Sequence, residues 1–366
     1  MSIRTEMSNP DLAAKEEGKS QIFYPWRRFL ARTIDLLIYD VLWSCILAFV
    51  FHVNLAVRSG WGSLFDSFVI VGIMLVVEPI WLHFFATTPG KAIFGLKITS
   101  PAGRKLLYLE GLERTWGVIR YGMGYNIPIY ILFRFWKSYK LCKEEVIQPW
   151  DEGIIYTIKD TKWYRSLIWV GAFAGIFALF PTITYIQELP PNRGDLTVAQ
   201  FVENYNYYSD YLGIDFGDEY LAENGKWAGK AFDSVQTIEL GINEKPEFVF
   251  TINNGYLTGV SFAVEIKDSD GWIEAYDKYI VPASLAFACA QKEVGLFSQT
   301  PGRITELIVS NSFKSFHFEE AGITFSCDTQ YAGYQDNFTM IRFLIPEENE
   351  EEKYFSINFS MMKNKL

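Results

Sequence analysis

Histidine and cysteine are scarce in this chain, at three and four of its 366 residues. His52, His83 and His317 stand far apart, and neither His-Glu-x-x-His nor Cys-x-x-Cys occurs. A zinc site draws its ligands from such clusters, so no metal is expected, and nothing else in the chain points to a cofactor. Positive charge is also short. Lys+Arg number 33 against 43 Asp+Glu, a net charge of −10. A chain this acidic lacks the basic surface that wraps nucleic acid, so no nucleic-acid partner is expected. There is no short basic start followed by an apolar core, which argues against a signal peptide. Two catalytic patterns are incomplete. Gly90-Lys91 has Phe85 where a phosphate loop needs Gly and Ala92 where it needs Ser or Thr. Ser360 and Lys363 have the nucleophile spacing of penicillin-recognising enzymes, but Lys-Thr-Gly is absent. The expectation is a protein that is not an enzyme.

The chain is instead rich in aromatic residues, at 17%, and divides sharply by charge. Residues 1–187 carry a net +5 and residues 188–366 a net −15. Residues 1–22 are polar without apolar periodicity and read as a disordered cytoplasmic tail. Phe29 to Phe51 is mostly apolar over 23 residues, ~34 Å as a helix against ~30 Å of hydrocarbon. Phe68 to Ala86 is a second apolar run, interrupted at Glu78-Pro79, and Ser166 to Ile186 has no charged residue. Val118 to Phe133 is shorter and holds Arg120, Asn126 and Pro128.

Basic residues are retained on the cytoplasmic side of spans. Arg27 and Arg28 precede the first span, the loop 52–67 holds only Arg58, and the loop 87–115 holds five basic residues. Six more lie between Lys137 and Arg165. They stay inside if 118–133 is re-entrant, which is the expectation, and the acidic half then lies outside. The alternative is a full fourth span, which puts the acidic half in the cytoplasm. The fold class is therefore an α-helical membrane domain over 23–187, with three spans plus one re-entrant or fourth span. A soluble α+β domain over 188–366 follows.

Arg28, Arg32, Asp35 and Tyr39 are spaced to share one helix face. Asp40 and Glu78 also fall at membrane depth, where a charge costs ~2.5–3.5 kcal/mol and must pair or meet water. Arg32 is within reach of Asp35, and Arg120 is a candidate partner for either Asp35 or Glu78. The set Arg28, Arg32, Asp35, Asp40, Glu78 and Arg120 reads as an ion-pair clamp, or as a small proton or cation path.

Three stretches in order carry a resemblance. They are "YPWRRFLARTIDLLIYDVL", "TPGKAIFGLKITSPAGRKL" and "QPWDEGIIYTI". Together they resemble the RDD family of bacterial integral membrane proteins over about residues 23–160. Arg28, Asp35, Gly90, Lys91, Gly95, Gly103 and Asp151 match its signature, and Arg114 falls where the family opens its next segment. The family often has Asp-Arg where this chain has Asp151-Glu152. The resemblance implies a multi-pass protein of the cell membrane, with the lipid bilayer as its partner, and no particular chemistry. Lys91 is expected at lipid headgroups, and Asp151, beside Trp150, within reach of Arg28.

The acidic half has a helical pattern after Asp195, a hairpin signal at Asn254-Gly255 and a second helix carrying Pro282, which should bend or divide it. Strands follow in "GITFSC" and "FTMIRFLIP", and the acidic run 346–353 reads as a solvated turn. Tyr205, Tyr207, Tyr208 and Tyr211 are either a recognition face or partly core. Cys289 and Cys327 are either one disulfide or two buried thiols. The domain is expected to bind a protein or envelope component, as a sensor or anchored binder.

Overall fold

The computed structural model describes residues 23–217, 219–229, 244–336, 342–347, 350 and 352–364. The expected tail 1–22 lies outside these residues, as do positions 348, 349 and 351 of the acidic run. The chain divides into two compact units, Met1–Phe51 with Leu55–Ile183, and His52–Asn54 with Thr184–Leu366.

The first unit is helical. Helix α1, Pro25–Phe49, opens on a proline whose missing N–H has no partner to lose in a first turn. Helix α2, Gly60–Phe85, is capped by Ser59, whose hydroxyl accepts from Gly62 N at 3.1 Å. It ends at Ala86 in the left-handed region, φ 55°. The two run antiparallel: Arg32 meets Glu78 towards one end, and Trp43 Nε1 donates to Asp66 Oδ1 at 2.9 Å towards the other. A single helical turn, α3 (Pro89–Ile93), follows, and then strand β1 (Leu96–Thr99).

The next stretch doubles back. His83 Nδ1 lies 3.0 Å from Leu106 O, helix α4 (Tyr108–Gly117) crosses Pro79 at Gly111, and Asn126 Nδ2 donates to Ser67 O. The chain thus climbs along α2 from its end towards its start. Residues 118–122 form one wide helical turn, and Tyr125, Asn126 and Ile129 take positive φ, so 118–133 is not one helix. Helix α5 (Tyr130–Lys143) then returns, with Phe135 against Phe29 and Tyr139 against Trp26. Both ends of this hairpin lie at the α1 start. Strand β2 (Ile155–Ile158) pairs antiparallel with β1. Helices α6 (Tyr164–Phe177) and α7 (Leu179–Gln187) complete the set, with Trp169 Nε1 donating to Leu30 O. Asp160, just before them, is bonded by Arg165, which holds its carboxyl well below the usual range.

Among the described residues two helical stretches are long and apolar enough to cross a membrane, Gly60–Phe85 and, taking α6 and α7 together, Tyr164–Gln187. Helix α1 is one residue shorter than α2 and carries Arg32, Asp35 and Asp40.

The second unit is sheet-rich. Helix α8 (Val198–Tyr211) has a capping box of Thr197 and Gln200. Strands β3 (Glu219–Leu221) and β4 (Trp227–Gly229) pair as a small ribbon. Strands β5 (Val249–Asn253) and β6 (Tyr256–Lys267) form the hairpin at Asn254-Gly255, both at positive φ. After β7 (Ile273–Glu274), helix α9 (Asp277–Ala288) is one helix with Pro282 inside it, which excludes the division of the two expected outcomes. It is buried along almost its whole length, so packing holds the turn that Pro282 leaves one bond short. Helix α10 (Thr300–Val309) and strands β8 (Phe316–Glu320), β9 (Ile323–Ala332), β10 (Tyr334–Asp336), β11 (Phe343–Pro346) and β12 (Tyr354–Lys363) follow. The main sheet is antiparallel in the order β5-β6-β12-β9-β8, and β10-β11-β7 form a second.

Tyr205 and Tyr208 sit in the core of this unit, and Tyr207 and Tyr211 pack against it, so the four are not an open face. Cys289 and Cys327 are free, which removes the disulfide alternative. Each thiol is held in the core beside its own neighbour, Tyr208 for Cys289 and Thr329 for Cys327. Burial pushes the Cys289 thiol up to about 12 and the Cys327 thiol up to about 11.

Residues 188–366, expressed alone, should melt in one sharp transition. Their aromatic core is continuous from Phe201 through Phe262 to Phe359. A broad melt by circular dichroism would show that the unit depends on the helical half.

Candidate functional site: a buried ion cluster

Three carboxylates with no side-chain exposure meet four cations inside the first unit. Glu78 is the hub. Its Oε1 accepts from Lys91 Nζ at 2.8 Å and from Arg114 Nη1 at 3.2 Å, and its Oε2 is bonded by Arg32. Asp151 bridges Arg28 and Arg114, the latter at 3.1 Å. Tyr156 lies under both guanidiniums, with the Arg28 carbon 4.4 Å from the ring centre.

Asp35 is held differently. Its Oδ2 accepts from the Thr88 hydroxyl at 2.5 Å, its Oδ1 accepts from Gly90 N at 2.8 Å, and Lys91 Nζ stands 3.5 Å away. The α3 turn makes this possible. Thr88 opens it, Pro89 presets its first φ, and Gly90 lets the backbone come down onto α1. A Cβ at Gly90 would lie 2.0 Å from Ala31 O. The cluster thereby ties α1, α2, α3, α4 and the Asp151 loop at one level. Charged hydrogen bonds of this kind are strong, and removing one partner leaves the others buried and unanswered.

Residues 24–186 match the model of the RDD family. This stretch of the chain is an RDD domain. No family model matches the region beyond it, and no curated protein or solved structure matches the chain. The family is membrane-associated.

The RDD domain brings together Arg28, Arg32, Asp35, Glu78 and Asp151, and adds Lys91 and Arg114. It leaves two expected members out. Asp40 is half-buried and makes no ion pair among the described residues. Arg120 is exposed, with its guanidinium 4.9 Å from the Tyr121 ring centre, and it touches neither carboxylate. Its place is taken by Arg114, which bonds Glu78 and Asp151 and, six residues earlier, lies on a different helix face. Arg32 bonds Glu78 rather than Asp35. Lys91 is 2% exposed, not at the surface. Gly95 has φ 68°, and its carbonyl accepts from Lys159 N at 2.9 Å beside the β1–β2 ribbon. Of the members absent from the expected network, Arg114 and Lys91 both carried a signal in the family resemblance, Lys91 as a signature position and Arg114 at the opening of the next segment. Among the described residues no group of His, Cys, Asp and Glu is arranged to hold a metal.

Proposed function

We propose that the RDD domain is a multi-pass anchor in the cell membrane whose buried ion cluster is a structural clamp. It holds residues 188–366 on the outer side, where they bind a protein or envelope component without catalysis. The observation that carries this reading is the closure of the cluster. Asp35, Glu78 and Asp151 have no exposed side-chain surface, and every one faces a cation or a donor. A proton or cation path needs carboxylates that water reaches. The rival transport reading is left with Asp40.

Membrane insertion is supported by exposure. Helix α6 shows Leu167, Ile168, Val170 and Phe177, each more than half exposed, on a helix with no charge after Arg165. Such a surface is stable against lipid. Three spans fit α1, α2 and the Tyr164–Gln187 helix. The hairpin of α4 and α5 fits a re-entrant element: its turn is buried against protein at 122–124, and the exposed 127–129 then has to reach headgroups or water. The basic residues from Lys137 to Arg165 then stay inside.

Cysteine labelling in intact cells tests this, in a chain with Cys45 changed to Ser. An impermeant maleimide should leave Glu152→Cys unmodified and label Glu293→Cys; both positions are exposed. The reverse pattern would overturn the topology, and ion flux lost in Asp40→Asn would favour the rival.

A further inference from the structure

The same cluster forms one side of a cavity of about 680 Å³. Arg28, Arg32, Lys91 and Arg114 line it, while Asp35, Glu78 and Asp151 do not. The carboxylates stand behind the cations, and no acidic side chain reaches the space. The other walls are mostly apolar, with Phe29, Met123, Leu132, Phe135 and Trp150 beside a few polar side chains. The volume is that of a small-molecule site.

The charges in the cluster do not cancel. Four cations face three carboxylates, which leaves one positive charge in surplus in a largely desolvated place. Arg114 is 4% exposed, and its Nε has no hydrogen-bond partner among the described residues. Arg28 and Arg32 keep 14% of their side-chain surface. A cation entering here is repelled. A wholly apolar molecule leaves the surplus charge unanswered, and a small free anion leaves the apolar walls empty. The complement is an anionic head on an apolar tail.

We propose that this cavity binds a membrane lipid through an anionic phosphate headgroup, with the start of its acyl chain along Phe29, Leu132 and Phe135. Several guanidiniums and an ammonium converging on one space suit the many acceptor oxygens of a phosphate. Trp26 and Trp136, both more than 60% exposed, line the same cavity, and indole rings favour the headgroup level of a bilayer. Lys143 adds a further cation to its lining. The inference rests on the membrane reading above and adds a ligand to it.

The test is a thermal melt of the full chain in neutral detergent with phosphatidylglycerol, phosphatidylcholine or inorganic phosphate added. Saturating phosphatidylglycerol should raise the melting temperature by roughly 5 °C, and the other two by less than about 1 °C. Ser138 lines the cavity from α5 outside the ion cluster. Ser138→Trp should therefore fill the space, keep the parent's melting temperature and lose the shift. Should that variant not fold, the exposed Lys143→Glu should at least halve the shift. Equal shifts with both lipids, an equal shift with phosphate alone, no shift at all, or a shift intact in the folded variants would overturn the proposal. Its failure leaves the labelling pattern as it was. A reversed labelling pattern with the lipid shift intact would overturn the topology alone.

Discussion

Glu78→Gln should lower the melting temperature of the detergent-solubilised chain by roughly 10 °C or more. The side chain is fully buried, and its two oxygens are shared by Arg32, Lys91 and Arg114. The amide keeps the shape but loses the charge, and its nitrogen brings a donor to face donors. Three cations are then left with Asp35 and Asp151 as their nearest anions. Breaking a buried pair from one side costs about 3–5 kcal/mol, mostly the penalty of the charge left behind. Asp40→Asn is the matched control. It removes a half-buried carboxylate of α1 that makes no ion pair among the described residues, so it should move the melt by no more than about 2 °C. Equal losses in the two variants, followed by tryptophan fluorescence, would show that the loss of a carboxylate and not the cluster sets the effect.

How much of this was legible in the sequence depends on the kind of information each feature needs. Long apolar runs announce α2 and the Tyr164–Gln187 helix, because length and hydropathy are properties of one segment. The hairpin at Asn254-Gly255 is equally local. The ion cluster is not. Helical spacing correctly puts Arg28, Arg32 and Asp35 on one face, but it says nothing of which element arrives opposite them. Glu78 takes Arg32, and the α3 turn takes Asp35 by way of Thr88 and the Gly90 N–H, a backbone donor that no side-chain motif records. Lys91 reads as a headgroup contact because it stands just beyond a span. Only the fold shows the chain turning inward there. Arg114, and not Arg120, meets the carboxylates, because which face of α4 packs against α2 is set by the fold and not by the segment. The free cysteines follow the same rule. Two residues in one domain have no readable distance until their strands and helices are placed.

Gly90→Ala should be the most damaging single-methyl change in the RDD domain. The added carbon would sit 2.0 Å from Ala31 O and 2.9 Å from Ala31 C, both backbone atoms of a helix that cannot swing aside as a side chain can. Relief requires α1 and α3 to separate by about an ångström or more, against close packing that resists such shifts. That separation breaks the Gly90 N–H bond to Asp35 and the Thr88 hydroxyl bond to the same carboxylate. Asp35 would then be left buried with Lys91 alone, at 3.5 Å. The expected result is a chain that fails to accumulate in the membrane, or one that melts more than 10 °C below the parent. Gly72→Ala is the control that isolates the cause. Gly72 lies inside α2 with nothing within 4 Å of its missing Cβ. There the same methyl should be neutral or stabilise by up to about 1 kcal/mol, through helix propensity alone. If Gly90→Ala behaved like Gly72→Ala, the close approach of α3 to α1 would not be what seats Asp35, and Lys91 would have to hold it by charge.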